Sequence, residues 1–167
     1  LDVGSGSGYL TAALALLVHS VGAGSHVTGL EKSIELVSAA RSNVRSAALQ
    51  MASLAALKGD LTRGDWAQHL LASGAALRFV TGDALQLDAL PLAQPFDLIV
   101  CGASAEEPPR SLVALLRPGG RLILPLGLEV QTLTLLDVSL DSAGQATLEP
   151  TPLESVVFAP LQPLEPG

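Results

Sequence analysis

Short apolar runs alternate along the chain with stretches that have helical periodicity. The apolar runs predict buried strands at residues 1–3, 26–30, 77–80, 96–101 and 121–125. Residues 9–18 predict a first helix. A longer second helix is indicated by apolar positions at steps of three and four, namely Val37, Ala40, Val44, Ala47, Met51 and Leu54. Pro108 and Pro109 indicate the first turn of a third helix that runs to about Leu116.

The last third of the chain changes pattern, because strand signals follow one another without a helix between them. Pro118-Gly119-Gly120 predicts a turn into the strand at 121–125, and the strands predicted at 131–140 and 145–158 are joined by a hairpin-type connection. This order predicts an α/β fold with a mostly parallel, doubly wound sheet and an antiparallel C-terminal edge. We expect one domain over residues 1–162, a tail at 163–167, and a surface insertion at 58–76 that includes a short helix at 66–71.

Composition narrows the class of protein. The chain has 167 residues, of which 49% are hydrophobic and 15% charged, so it can bury a core and is not a disordered chain. Its net charge of −7, without a run of basic residues, argues against nucleic acid as the main partner. No apolar stretch is long enough to predict a membrane span.

The cysteine and histidine content gives further limits. The single cysteine, Cys101, excludes an internal disulfide framework and a cysteine-based zinc site, and fits a reducing, cytoplasmic setting. Because it ends a predicted buried strand, we expect a core thiol rather than a nucleophile. His19, His26 and His69 share no ligand spacing, so we expect no metal site.

A glycine-rich loop lies between the first strand and the first helix and carries the main chemical signal. It reads Asp2-Val3-Gly4-Ser5-Gly6-Ser7-Gly8, and such glycines let the backbone pass close to a ligand at a helix N-terminus. A dinucleotide fingerprint has its third glycine three residues after the second, whereas here Tyr9 occupies that position. Asp2 also suits a ligand with an ammonium group better than a pyrophosphate.

Two further acids follow the next two predicted strands. Glu31 ends the second strand, where a carboxylate can accept both hydroxyls of a ribose. Asp83 and Ala84 follow the third strand, where a side chain and the backbone can read an adenine edge. We expect the three acids to converge on the crevice at the carboxyl ends of the strands. An amino-acid end, a ribose and an adenine together indicate S-adenosylmethionine.

The chain resembles protein-L-isoaspartate O-methyltransferases, which have the Rossmann-like class I methyltransferase fold. The resemblance lies in residues 1–12, 29–36, 43–45, 80–84, 96–105 and 116–127, with a last strand at 156–161. The most specific parts are the Gly102-Ala103-Ser104-Ala105 loop and the Arg121-Leu122-Ile123-Leu124-Pro125-Leu126-Gly127 strand.

The resemblance implies methyl transfer from S-adenosylmethionine to the α-carboxylate of isoaspartyl residues in damaged proteins, with S-adenosylhomocysteine as the product. It implies that Gly4, Ser5, Gly6 and Gly8 line the methionine part of the cofactor, near Asp2. It also implies that Glu31 holds the ribose beside Lys32, and that Asp83 and Ala84 face the adenine. We expect a monomer with isoaspartyl proteins as partners. Where the family often has a threonine near the cofactor, this chain has Gln162.

One part of the family pattern precedes the glycine loop and is not matched here. In the family an A-T-I-S-A-P-H-M-like stretch presents a serine to the substrate, and we expect the chain to be truncated at its N-terminus. No catalytic residue is therefore assigned, and Ser104 is a candidate only for substrate contact. Two alternatives stay open: a non-catalytic S-adenosylmethionine-binding or adaptor relative, and a class I methyltransferase that acts on RNA or a small molecule.

Overall fold

The structure, a computed structural model, describes residues 1–19, 25–58, 77–87, 90–92, 95–142 and 144–163. The chain divides into two compact units, one formed by Ser5–Thr81 and the other by Leu1–Gly4 together with Gly82–Gly167. The predicted insertion beyond Lys58, the predicted helix at 66–71 and the last residues of the tail lie outside the described residues. The single domain over 1–162 stays a prediction.

The unit Ser5–Thr81 is a parallel strand pair with two helices. Its elements are α1 (Tyr9–His19), β2 (Val27–Glu31), α2 (Ile34–Lys58) and β3 (Leu77–Thr81). β2 and β3 pair in parallel from Val27 opposite Leu77 to Glu31 opposite Thr81. All five residues of β2 are buried, because the strand is covered as well as paired. The apolar core of the unit combines both helices with both strands through Ala15, Val27, Val37, Ala40, Leu77 and Phe79.

The buried stripe of α2 differs in phase from the predicted one. Val37 and Ala40 are buried and Val44 is partly buried, as predicted, but the next buried position is Ala48 and not Ala47. At 3.6 residues per turn, Ala47 and Ala48 lie on opposite sides of the stripe that the three earlier positions define, and packing buries Ala48. The side chains of Met51 and Leu54 lie outside the described part of the chain.

The second unit contains the remaining strands and one short helix. Its elements are β1 (Asp2–Val3), β4 (Phe96–Cys101), α3 (Arg110–Val113), β5 (Leu116–Leu126), β6 (Gln131–Leu140) and β7 (Ala146–Val156). These strands lie in the order β1-β4-β5-β6-β7. The first two pairings are parallel and the last two are antiparallel. The predicted antiparallel C-terminal edge is confirmed.

Two local predictions in this unit were wrong. The third helix is a single turn over Arg110–Val113 and does not reach Leu116, which begins β5 by pairing with Phe96. The predicted Pro118-Gly119-Gly120 turn lies inside β5 instead of before it. Pairing with β4 jumps from Leu116 to Arg121 there, and Gly119 has a φ of 78°. Proline has no N–H to donate, so the turn residues bulge away from the ladder while the strand continues.

Within the described residues, no helix combines the length and the apolar character needed to cross a membrane.

The central strand β5 provides a test of the fold with a matched control on its neighbour β4. Leu122 on β5 is 0% exposed, whereas Leu98 on β4 is 40% exposed. We expect Leu122→Ala to lower the free energy of unfolding by about 2–5 kcal/mol, through lost burial and a cavity. Leu98→Ala should lower it by about 1 kcal/mol or less. Urea unfolding followed by circular dichroism measures both, and equal losses would contradict the described packing of the sheet.

Candidate cofactor-binding site

The loop between β1 and α1 has a backbone shape that only glycine adopts readily. Gly4, Gly6 and Gly8 have φ values of 77°, 49° and 84°, and no residue other than glycine among those described has a positive φ. Other L-residues are strained in this region because Cβ approaches the backbone. The alternation of glycines in the sequence therefore has a direct conformational cause.

Gly8 is also required by packing at the start of α1. A Cβ atom built on it would lie 2.9 Å from both the Ala40 Cβ and the Phe79 Cζ. Its N–H donates to the Ser5 carbonyl at 2.8 Å, which closes the loop on itself. The third glycine thus lets α1 begin directly against α2 and β3.

Hydrogen bonds fix the loop to both neighbouring elements of its unit. The Ser5 N–H donates to the Leu30 carbonyl of β2 at 3.2 Å. From α2, the Asn43 Nδ2 donates to the Ser7 carbonyl at 3.1 Å. Asn43 belongs to one of the segments that carry the family resemblance, but its part in holding the loop was not predicted.

Glu31, the last residue of β2, links the loop to the start of α2. Its Oε2 accepts the Gly6 N–H at 3.1 Å, and its Oε1 accepts the Ser33 N–H at 3.2 Å. An ionised carboxylate has about four acceptor positions, so each oxygen keeps one for a further donor. The carboxylate can therefore accept two hydroxyl groups at once. A pyrophosphate at the Gly6 N–H would instead meet its negative charge.

Ser5 and Lys32 flank this arrangement in different ways. Ser5 is 6% exposed, and its buried Oγ has no hydrogen-bond partner among the described residues. A Cβ added at Gly29 would come within 2.9 Å of the Ser5 Cβ, so the side chain lies tightly against β2. Lys32 is exposed directly after the strand. Ser5 shapes the loop, and Lys32 is available to a ligand.

The other predicted cofactor residues belong to the second unit. Asp2 is 1% exposed within β1, and Asp83 and Ala84 are 5% and 6% exposed. The Asp83 Oδ1 accepts the Leu85 N–H at 2.8 Å, which fixes a turn of the Asx type. The Ser111 Oγ donates to the Ala84 carbonyl at 2.9 Å and ties this turn to α3.

Cys101 is the last residue of β4, and Ser104 lies in the loop that follows it. The Ser104 hydroxyl is buried, with the residue 3% exposed, and it donates to the Phe158 carbonyl at 3.3 Å. Cys101 is a core thiol, as predicted. Burial raises the pKa of its thiol above the usual value, and its Sγ donates to the Ala103 carbonyl at 3.3 Å. The part of the chain that the structure describes contains no cluster of metal-ligating side chains.

Comparison with known proteins assigns the family. The sequence model of the protein-L-isoaspartate(D-aspartate) O-methyltransferase (PCMT) family matches residues 1–165. The chain belongs to this family. It is similar to the Triticum aestivum protein-L-isoaspartate O-methyltransferase, with 39% identity over 160 residues that cover 93% of this chain and 59% of the relative. The Bordetella petrii enzyme of the same name is 36% identical over 162 residues, which cover 97% of this chain and 46% of the relative.

A solved structure extends the comparison to the fold. It is of a Plasmodium falciparum protein assigned as a PCMT, in complex with S-adenosyl-L-homocysteine. The TM-score is 0.65 at 28% sequence identity, and the match covers 96% of this chain and 64% of that chain. The predicted class I methyltransferase fold is confirmed. The chain spans between 43% and 59% of the length of the first three curated PCMT relatives it matches.

The structure brings together part of the site predicted for this PCMT-family chain. Within the unit Ser5–Thr81, the glycine loop and Glu31 are in direct hydrogen-bond contact. Asp2, Asp83 and Ala84 are buried residues of the other unit, in which Asp83 accepts the Leu85 N–H and the Ala84 carbonyl accepts the Ser111 hydroxyl. Their cofactor contacts stay predictions.

Gly8 and Gly144 allow the two reasons for a loop glycine to be separated. Both have a positive φ, 84° and 77°, but a Cβ at Gly144 would meet nothing within 4 Å. Gly144→Ala should lower the free energy of unfolding by about 1–2 kcal/mol, from backbone strain alone. Gly8→Ala should lower the free energy of unfolding by about 1–3 kcal/mol more than Gly144→Ala does, because its Cβ overpacks the core. Chemical denaturation measures both, and a Gly8→Ala loss no larger than that of Gly144→Ala would contradict the packing argument.

Proposed function

We propose that this protein transfers a methyl group from S-adenosylmethionine to the α-carboxylate of isoaspartyl residues in damaged proteins. S-adenosylhomocysteine is the second product. Membership of the PCMT family supports the proposed reaction. The observation that best supports S-adenosylmethionine as the cofactor is the hydrogen bond between the Glu31 carboxylate and the Gly6 N–H of the glycine loop. The solved PCMT relative that contains S-adenosyl-L-homocysteine supports the same choice.

The residues of the loop fit such a cofactor. Glu31 keeps one acceptor position on each oxygen after its bonds to Gly6 and Ser33, which matches the two hydroxyls of a ribose. The glycines at 4, 6 and 8 keep side chains away from the loop. The negative charge of Glu31 suits a cofactor that carries a positive charge and no phosphate.

The remaining cofactor contacts follow the family resemblance. Gly4, Gly6 and Gly8 line the methionine part, with Asp2 near its ammonium group and Lys32 beside the ribose. Asp83 and Ala84 face the adenine. Ser5 contributes by holding the loop on β2, in keeping with its buried side chain and its bond to Leu30.

The proposed reaction requires the protein to position the two reactants and does not require it to transfer a proton. When bound, S-adenosylmethionine supplies a methyl group attached to a positively charged sulfur. An isoaspartyl carboxylate is already ionised at neutral pH, so it needs no general base to become a nucleophile. Glu31 and the glycine loop would hold the cofactor, which would supply the methyl carbon to the carboxylate oxygen, and the electron pair of the carbon–sulfur bond would stay on sulfur. The residues that hold the loop rigid therefore serve the rate through orientation.

The partners and setting belong to the same proposal. The substrates are isoaspartyl-containing proteins or peptides, and the net charge of −7 supports a protein partner over a nucleic acid. We propose that the protein works as a monomer in the cytoplasm. The buried, unpaired thiol of Cys101 supports a reducing compartment.

Binding of S-adenosylhomocysteine, measured by calorimetry, tests the cofactor assignment. The 167-residue chain should bind this ligand and not NAD. Glu31→Gln should weaken binding by about 10- to 100-fold, because a hydrogen bond to a charged group contributes about 1.5–3 kcal/mol. Glu154→Gln removes the same charge from an exposed position on β7 and should leave the affinity unchanged.

The folding of both glutamate variants has to be checked before their affinities are interpreted. Thermal unfolding of each variant shows whether the protein remains folded before affinities are compared. Equal affinity of Glu31→Gln and the unaltered protein would refute the ribose role of Glu31. NAD binding at the same site would refute the choice of cofactor class.

Methyl transfer itself is tested with a matched pair of peptides. An isoaspartyl peptide should accept a labelled methyl group from S-adenosylmethionine, and the same peptide with normal aspartate should not. Labelling of both peptides alike would contradict specificity for the isoaspartyl linkage. Cofactor binding without labelling of either peptide would support a non-catalytic binding role for this chain.

A further inference from the structure

A segment near the C-terminus of the described chain lies beside the loop that follows β4. Residues 158–161, the C-terminal strap, run parallel to Ser104, with Pro160 as its bridge partner. The Ser104 N–H donates to the Ala159 carbonyl at 2.8 Å, and the Leu161 N–H donates to the Ser104 carbonyl at 2.7 Å. Ser104 thus holds the strap on both sides of Pro160 through its backbone.

Two side chains complete this attachment at a single residue, Phe158, and bind the two peptide units on either side of its Cα. The Ser104 Oγ donates to the Phe158 carbonyl at 3.3 Å, and the Gln131 Oε1 accepts the Phe158 N–H at 2.8 Å. Gln131 is itself fixed, because its Nε2 donates to the carbonyls of Leu128 and Glu129. Ser104 and Gln131 are only 3% and 2% exposed, so neither side chain is available to a substrate.

The strap is held by these hydrogen bonds and not by apolar burial. Residues 158–160 are exposed and Leu161 is only partly buried. A net contribution of about 0.5–1.5 kcal/mol per hydrogen bond is then a large share of what keeps the segment in place. The loss of one side-chain bond should therefore release the strap measurably without unfolding the unit.

The position of the strap is what connects it to the chemistry. Ser104 lies just after the end of β4, and the next residue, Ala105, is hydrogen-bonded to the end of β5. The Ala105 N–H donates to the Pro125 carbonyl at 3.0 Å, and the Gly127 N–H donates to the Ala105 carbonyl at 2.9 Å. β4 and β5 are parallel, so both carboxyl ends lie at the same edge. Ligands of doubly wound sheets bind outside that edge.

We propose that Ser104 and Gln131 are positioning residues that hold the C-terminal strap at the carboxyl ends of β4 and β5, where the strap sets the affinity for the cofactor. The inference rests on the proposed function, because it takes the ligand at this edge to be S-adenosylmethionine. It gives Ser104 an indirect role in place of a contact with substrate. Neither residue takes part in the transfer of the methyl group.

Hydrogen exchange and calorimetry on the full chain test the two halves of the proposal. Ser104→Ala should speed exchange of the Phe158 and Leu161 amides by about 2- to 13-fold, which corresponds to one lost hydrogen bond. The Kd for S-adenosylhomocysteine should rise by a similar factor, and KM for the cofactor should rise while kcat is kept. Gln131→Ala, from a different strand, should act in the same direction.

Ser139→Ala is the matched control. It removes a hydroxyl of the same unit that pairs with the Thr147 Oγ1 at 2.6 Å between β6 and β7. It should change neither the exchange of the strap nor the Kd.

Each other result overturns the inference in a recognisable way. Faster exchange with an unchanged Kd would show that the attachment is structural only. Unchanged exchange in both variants would show that the side chains do not hold the strap, and a lower kcat at constant KM would show a role in the chemical step. Absence of S-adenosylhomocysteine binding by the unaltered protein is the failure of the proposed function, and the inference falls with it.

Discussion

The hydrogen bond between the Gly6 N–H and the Glu31 carboxylate organises the unit Ser5–Thr81. A carboxylate that is only 8% exposed is unfavourable unless donors surround it, and the two donors it has come from the glycine loop and from Ser33. Ser33 in turn accepts the Leu36 N–H with its Oγ at 3.1 Å and so caps α2. One side chain at the end of β2 therefore fixes both the loop before α1 and the first turn of α2.

The same device recurs in the second unit, where polar side chains hold the loops that follow the strands. Asp83 closes its own turn, Ser111 holds Ala84, and Ser104 with Gln131 holds the strap. Hydrogen bonds have narrow geometry, whereas apolar contacts tolerate sliding. A protein that must present backbone atoms at fixed points gains precision by holding its loops in this way, and each loop then depends on a few identifiable bonds.

Local sequence was sufficient for most of the fold. β4 and β6 agree with the predicted residues 96–101 and 131–140 in full, because their apolar runs end at glycine, proline or acidic residues. The phase error at Ala47 arose because alanines at 47 and 48 offer two equally apolar choices, and only packing against the sheet selects Ala48. The short third helix followed from pairing of Leu116 with Phe96, a tertiary contact that local propensity cannot register.

The residues of the candidate site also differ in whether local sequence could predict their roles. The glycine loop and Glu31 could be predicted because backbone shape and strand ends leave a local signature in residue type and spacing. Asn43 and Ser104 could not, since their bonds join residues 36 and 54 positions apart, and nothing near either residue marks its partner. The proposed transfer to an ionised carboxylate needs orientation and not a shifted pKa, so under that proposal the residues that matter most are those that hold the backbone in place. Hydrogen bonds of this kind, between residues far apart in the sequence, can be identified only from the structure.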